Sequence, residues 1–418
     1  MFIYTVKSGD SLYTISRKYQ VSLDTIRSVN GLNEADLVPG QALIMATTTY
    51  IVQQGDTLSS IASISYVPSQ LLKTANGLES DALTVGMRLT LPTRPKYLEE
   101  GLSYILPSTP EQIQKTVQNF ANLNTYFGVF EYHITADGNL SELPYDDLVI
   151  KVSRDHLVAP LATITNLTPG GFSSDITKQL LQSPELRNRL IDNIYTLLKT
   201  KNYTGVNVDF ERIRADERDL YSGFLRALNE RLKTDGYYTS VAVPVKRSDL
   251  DHPGYDYGGI ASSVNFVFIM AYDFHEAHSG PGPVGPIDEI RKTVEYALQH
   301  MPRHKIILGV PRYGFDWTME GNVPLTAKAV SVKSATDTAI RYEVNIQYSE
   351  QYQQPYFGYW DEQGRRHIVW FEDARARAAK CQLVIDYQLL GIGAWQLGLN
   401  FPQSAYLIMH FFRNRRVV

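Results

Sequence analysis

The chain repeats itself. Sliding the first ninety or so residues by 46 positions lays Tyr4 on Tyr50, Val6 on Val52, Gly9 and Asp10 on Gly55 and Asp56, Leu12 on Leu58 and Ile15 on Ile61. The match runs on through Asn30, Gly31 and Leu32 over Asn76, Gly77 and Leu78, then Gly40 over Gly86 and Leu43 over Leu89. Identities this dense at one offset mean two copies of one small unit. Each reads as a short strand (4–6 in the first copy), a Gly-Asp turn, two helices (12–19 and 23–30) and a closing strand (42–45). Asp10 and Asp56 stand just before the first helix of their copy and are expected to cap it.

The segments "YTVKSGDSLYTISRKY", "VNGL" and "LVPGQAL", with "YIVQQGDTLSSIA", "ANGL" and "LTVGMRL" in the second copy, resemble LysM modules over residues 1–47 and 48–93. The resemblance implies binding to glycans built on N-acetylglucosamine, peptidoglycan or chitin. It places the groove at Gly9, Asp10, Ser11, Asn30, Gly31 and Leu32, and at Gly55, Asp56, Thr57, Asn76, Gly77 and Leu78. Capping and turn formation are an equally good account of the Asp and Asn residues.

After a short linker, "PTRPK", strands alternate with helices from residue 97 to 418. Apolar strand-like runs fall at 102–106, 126–132, 161–165, 205–209, 239–243, 266–272, 306–310 and 392–395. Helical patterns lie between them, such as Thr109-Pro110-Glu111 opening a face of Ile113, Val117 and Phe120. Eight such units predict an α/β fold, a (β/α)8 barrel, whose catalytic groups sit at the C-terminal ends of strands. Residues 314–370, between the seventh and eighth strands, are polar and aromatic and predict a small α+β insertion walling a cleft or merely covering it.

The fourth strand carries the chemistry. In Val206-Asn207-Val208-Asp209-Phe210-Glu211 the side chains alternate, so Asn207, Asp209 and Glu211 share one face and the apolar residues the other. Two neighbouring carboxylates raise the cost of ionising each other, which suits a proton donor beside a stabilising anion. An edge strand with its polar face in water would look the same.

"YTGVNVDFE" resembles the signature of glycoside hydrolase family 18, with the catalytic acid at Glu211. Met270-Ala271-Tyr272-Asp273 ends the sixth strand as in that family, and Trp395 ends the eighth. "TNLTPGG" follows the third strand, and "GVPRYG", containing Tyr313, follows the seventh. The resemblance implies substrate-assisted catalysis. Glu211 is the acid and base, Asp209 orients the substrate's acetamido group and Tyr272 bonds its oxygen. Asn207, Asp273, Met270, Trp395 and Tyr313 contact substrate, and no cofactor or metal is implied. Asn207 and Thr204 replace aspartates of the family pattern. Asn207 can hydrogen-bond Asp209 but cannot titrate, so the family's pH optimum is not carried over.

With its two modules the chain is similar to the N-acetylglucosaminidases of bacterial spores that act on cortex fragments. A chitinase, or an inert glycan-binding coat protein, remain alternatives; Glu211, Asp209 and Tyr272 together favour an enzyme. The net charge of −4 and 20% charged residues give no reason to expect nucleic acid or an anionic membrane as partner, and a monomer is expected. Neither a basic-then-apolar leader nor a long apolar run stands at the start, which suggests cytoplasmic synthesis and deposition at the spore coat or surface. The single Cys381 reads as a buried, inert thiol. His275, Glu276 and His278 lack the spacing of a helical metal motif and read as a cleft loop.

Overall fold

The computed structural model describes residues 1–32 and 36–418. Eight parallel strands close into a barrel: Leu102–Ile105 (β1), Tyr126–His133 (β2), Ala159–Thr165 (β3), Gly205–Asp209 (β4), Tyr238–Pro244 (β5), Phe266–Met270 (β6), Ile306–Pro311 (β7) and Gly391–Trp395 (β8). Closure removes any edge, so β4 is buried throughout, and the reading of its polar face as a wet edge fails.

The interior is aromatic. Tyr104, Tyr126, Phe266 and Phe268 fill it, with Met270, Tyr272 and Trp395 packed on them towards the C-terminal mouth. Glycines make the room: a Cβ at Gly309 would lie 2.3 Å from the Phe268 ring, and one at Gly393 2.6 Å from it. Outside, Phe210 stacks on Phe224 at 5.8 Å between centroids, anchoring the end of β4 to the helix Arg218–Lys233.

Between β7 and β8 lies a five-stranded antiparallel sheet with one helix, Val332–Arg341. Its first strand, Tyr313–Glu320, leaves β7 directly and turns Tyr313, Phe315, Trp317 and Met319 to one face, where they pack with Val284 of the loop after β6. The Trp317 indole donates to the carbonyl of Ser279 at 3.1 Å, tying that loop down.

In each N-terminal module two short antiparallel strands flank two helices. The caps of the first helices are Ser11 and Thr57, whose hydroxyls accept from the backbone of Thr14 and Ser60 at 3.1 and 3.0 Å. Asp10 and Asp56 do something else. Each accepts from the backbone of the turn, Lys7 at 2.8 Å and Gln53 at 2.7 Å, and from a strand tyrosine, Tyr4 or Tyr50. The turn puts the carboxylate one residue too early to reach the helix amides, so it braces turn against strand.

Candidate active site

β4 presents Asn207 and Asp209 to the barrel interior and ends at Asp209; Glu211 stands two residues beyond, at the C-terminal mouth. Its backbone is clamped. The side chain of Asn166 accepts from the Glu211 amide at 2.8 Å and donates to the Glu211 carbonyl at 2.8 Å. Tyr255 donates to the Phe210 carbonyl at 2.8 Å and accepts from the Ile213 amide at 3.4 Å. Between these anchors Arg212 takes a left-handed φ of 60°, a conformation that costs free energy and persists because its neighbours hold it.

Asp209 is 5% exposed and, among the described residues, its Oδ1 has no hydrogen-bond partner. Burial, then the charges of Glu211 and Glu131, push its carboxyl well above the usual range. Burial likewise pushes Glu211 up to about 7, with Arg212 opposing and Asp273 reinforcing. A carboxyl held there keeps its proton up to about neutral pH, as a general acid needs. Tyr272 is raised well above its ordinary value by burial and keeps its proton as a donor.

Asp273, also at left-handed φ (59°), accepts from the Tyr313 phenol at 2.6 Å, which ties the end of β6 to the inserted sheet. It is exposed at the cleft mouth. Desolvation by the surrounding protein shifts it upward, the Tyr313 bond works against this, and Glu276 adds to it. Trp395 is half-buried, edge-on to Phe130 at 4.6 Å and to Tyr104 at 5.4 Å, so its ring is braced from below. Met270 lies in the same aromatic cluster.

One expectation is corrected. Asn207 is fully buried and its amide does not turn to Asp209. Oδ1 accepts from Tyr104 at 2.8 Å and Nδ2 donates to Ser240 at 2.9 Å, because β1 and β5 place hydroxyls on either side of it. It supports the floor under Asp209 and leaves that carboxylate free.

Sequence reasoning missed Asn166, Tyr255 and Glu131. Glu131 accepts from Thr165 at 3.0 Å, and its charge acts on Asp209. Asn166 lies inside the "TNLTPGG" segment, so the motif found the loop but not the side chain that works.

In the modules, Asn30 accepts from the Ile44 amide at 2.7 Å and donates to the carbonyls of Ile26 and Ile44. Asn76 repeats this with Thr90 and Leu72. Both amides are occupied in joining helix to strand. Among the described residues no cluster of metal-ligating side chains occurs, and no helix is long and apolar enough to cross a membrane.

A family model for glycosyl hydrolases family 18 matches residues 164–400, and one for the LysM domain matches 4–45 and 50–92. The chain is 46% identical to the provisionally named sporulation-specific glycosylase YdhD of Bacillus subtilis, with all of both chains covered. It is 40% identical to the cortical fragment-lytic enzyme of Bacillus anthracis over 98% of each. The crystal structure of the Bacillus cereus spore cortex-lytic enzyme SleL superimposes with a TM-score of 0.89 at 35% identity, covering 100% of this chain and 99% of that one. With its closed barrel and two N-terminal LysM domains, this chain belongs to glycosyl hydrolases family 18 and is a glycoside hydrolase.

Proposed function

We propose that this enzyme cleaves the β-1,4 bond after N-acetylglucosamine in fragments of spore cortex peptidoglycan, with retention of configuration. The observation that carries the reading is the pair at β4: a proton-bearing Glu211 pushed up to about 7 beside a buried Asp209 whose Oδ1 is unpartnered. End-to-end similarity to a cortical fragment-lytic enzyme supports the substrate class and a spore-associated role.

Glu211 protonates the glycosidic oxygen as the bond to the anomeric carbon breaks. The substrate's acetamido oxygen attacks that carbon in the same step and forms an oxazolinium ring. The free Asp209 oxygen accepts a hydrogen bond from the acetamido N–H, and that bond strengthens as positive charge develops on the ring. Tyr272 donates to the acetamido oxygen and holds it in line. Glu211, now a carboxylate, takes a proton from water, which opens the ring and restores the acid. Trp395 gives the reacting sugar an apolar floor, and the Tyr313–Asp273 pair forms the adjoining wall. The LysM region holds the enzyme on its polymer and raises local concentration.

The test is mass spectrometry of products from cortex peptidoglycan, spore-derived muropeptides and N-acetylglucosamine oligomers incubated side by side. New N-acetylglucosamine reducing ends from the cortex fragments support the reading. Turnover of the oligomers alone makes the enzyme a chitinase, and no turnover of any makes the barrel inert.

A further inference from the structure

The two modules are copies in sequence but not in surroundings. At the shared offset, Ile3, Val29, Ala42 and Ile44 of the first module correspond to Thr49, Ala75, Arg88 and Thr90 of the second. The first four are buried and belong to the same apolar cluster as Cys381 and Leu407 of the barrel's last helices. Of the second set, Ala75, Arg88 and Thr90 are exposed.

The contrast reaches the loop after the second helix. A Cβ on Gly31 would lie 2.4 Å from Cγ of Pro402, whereas one on Gly77 would meet nothing within 4 Å among the described residues. Asn30 is 7% exposed and accepts from Gln403 at 2.7 Å, and Gln403 also donates to the Ala42 carbonyl at 2.8 Å. Gly40 is pressed between the inserted region and the helix Ala374–Asp386 that follows it: its carbonyl accepts from Arg375 at 3.0 Å, and a Cβ there would lie 1.7 Å from the Ile346 carbonyl oxygen. The equivalent Gly86 faces open space. Among the described residues, module two meets the barrel through Tyr66 on Phe411 at 5.3 Å and the Ser65 carbonyl against His410 at 3.1 Å, both away from this loop.

From these pairs we infer a division of labour: the second module alone binds the glycan, a β-1,4-linked chain containing N-acetylglucosamine, along 53–57 and 76–82. The first module is a bracket. Its first loop stays open at Gly9, but the Gly31 side that would complete a groove is covered by Pro402. The bracket fixes the second module's groove at one distance and direction from Glu211, so anchoring and cutting occur at a set span along a strand. This rests on the glycan-binding reading above and extends it to one module.

Hydrogen exchange on the full chain carrying Glu211→Gln, with and without a hexamer of β-1,4-linked N-acetylglucosamine, tests it. At hexamer tenfold above its dissociation constant, amides in 53–57 and 76–82 should exchange about tenfold more slowly, and those of Gly31 and Leu32 at an unchanged rate. Equal protection of Gly31 and Leu32, or protection of neither module, overturns the inference. The two readings fail separately: a wild-type enzyme inactive on cortex removes the proposed reaction while this exchange pattern stands or falls alone.

Discussion

Tyr104 donates its phenol to Oδ1 of Asn207 at 2.8 Å, bridging β1 and β4 inside the barrel, and so takes Asn207 away from Asp209. Asp209 is therefore tuned by burial and by Glu211 and Glu131, not by a hydrogen bond from its own strand. The Asn207→Asp variant tests this. It places a third carboxylate in a fully buried position and loses the bond donated to Ser240, so its melting temperature should fall. The added charge should also move the alkaline limb of kcat/KM to higher pH. An unchanged pH profile would show that position 207 is electrically silent towards the pair.

The Asn166 clamp should matter through geometry. Asn166→Ala leaves the Glu211 amide and carbonyl without their partners, at a cost of about 1–3 kcal/mol in stability. It should lower kcat by about 10–100-fold while KM changes little, since misplacing a catalytic group by a fraction of an ångström has effects of that order. A variant whose KM rises while kcat holds would place Asn166 in substrate binding instead.

Asp273 reinforces the upward shift of Glu211. Asp273→Asn removes that charge, so Glu211 should lose its proton more readily and the alkaline limb of kcat/KM should move to lower pH. Movement in the opposite direction would mean that the Tyr313–Asp273 bond governs the site by position and not by charge.

Glu211 also makes a prediction about stability. Its folded value, about 7, lies above the ordinary 4.5, so the native state holds this proton more tightly than the unfolded chain. The stabilisation is complete below the ordinary value and is lost as pH rises through about 7. Glu211→Gln escapes that loss. The variant should match wild type at pH 4 and exceed it at pH 8 by about 1–2 kcal/mol, after discounting for partial exposure. Calorimetry at the two pH values checks this, and equal melting temperatures at pH 8 would mean that Glu211 is not appreciably desolvated.

Much of this was legible because it is local or periodic. The repeat, the eight alternating units and the face shared by Asn207, Asp209 and Glu211 follow from spacing within a few residues, and the motifs at Tyr272, Tyr313 and Trp395 fall at strand ends where a barrel gathers them. What the spacing could not show is long-range pairing. Asn166 reaches Glu211 across 45 residues and Tyr255 reaches Phe210 across 45, with nothing periodic to mark either. Tyr104 meets Asn207 only because the barrel closes. The capping role given to Asp10 and Asp56 failed by one residue, a matter of turn geometry. The docked face of the first module was written in the sequence as apolar residues where its copy has polar ones, but only the fold says what covers it.

Under the proposed mechanism Glu211 is the acid that breaks the glycosidic bond. The most direct measurement is the initial rate at which wild type and full-length Glu211→Gln release N-acetylglucosamine reducing ends from spore cortex fragments near pH 6, on equal amounts of bound enzyme. A fall of about 10²–10⁴-fold in the variant, with retention on the fragments intact, is the predicted result. An undiminished rate would contradict it.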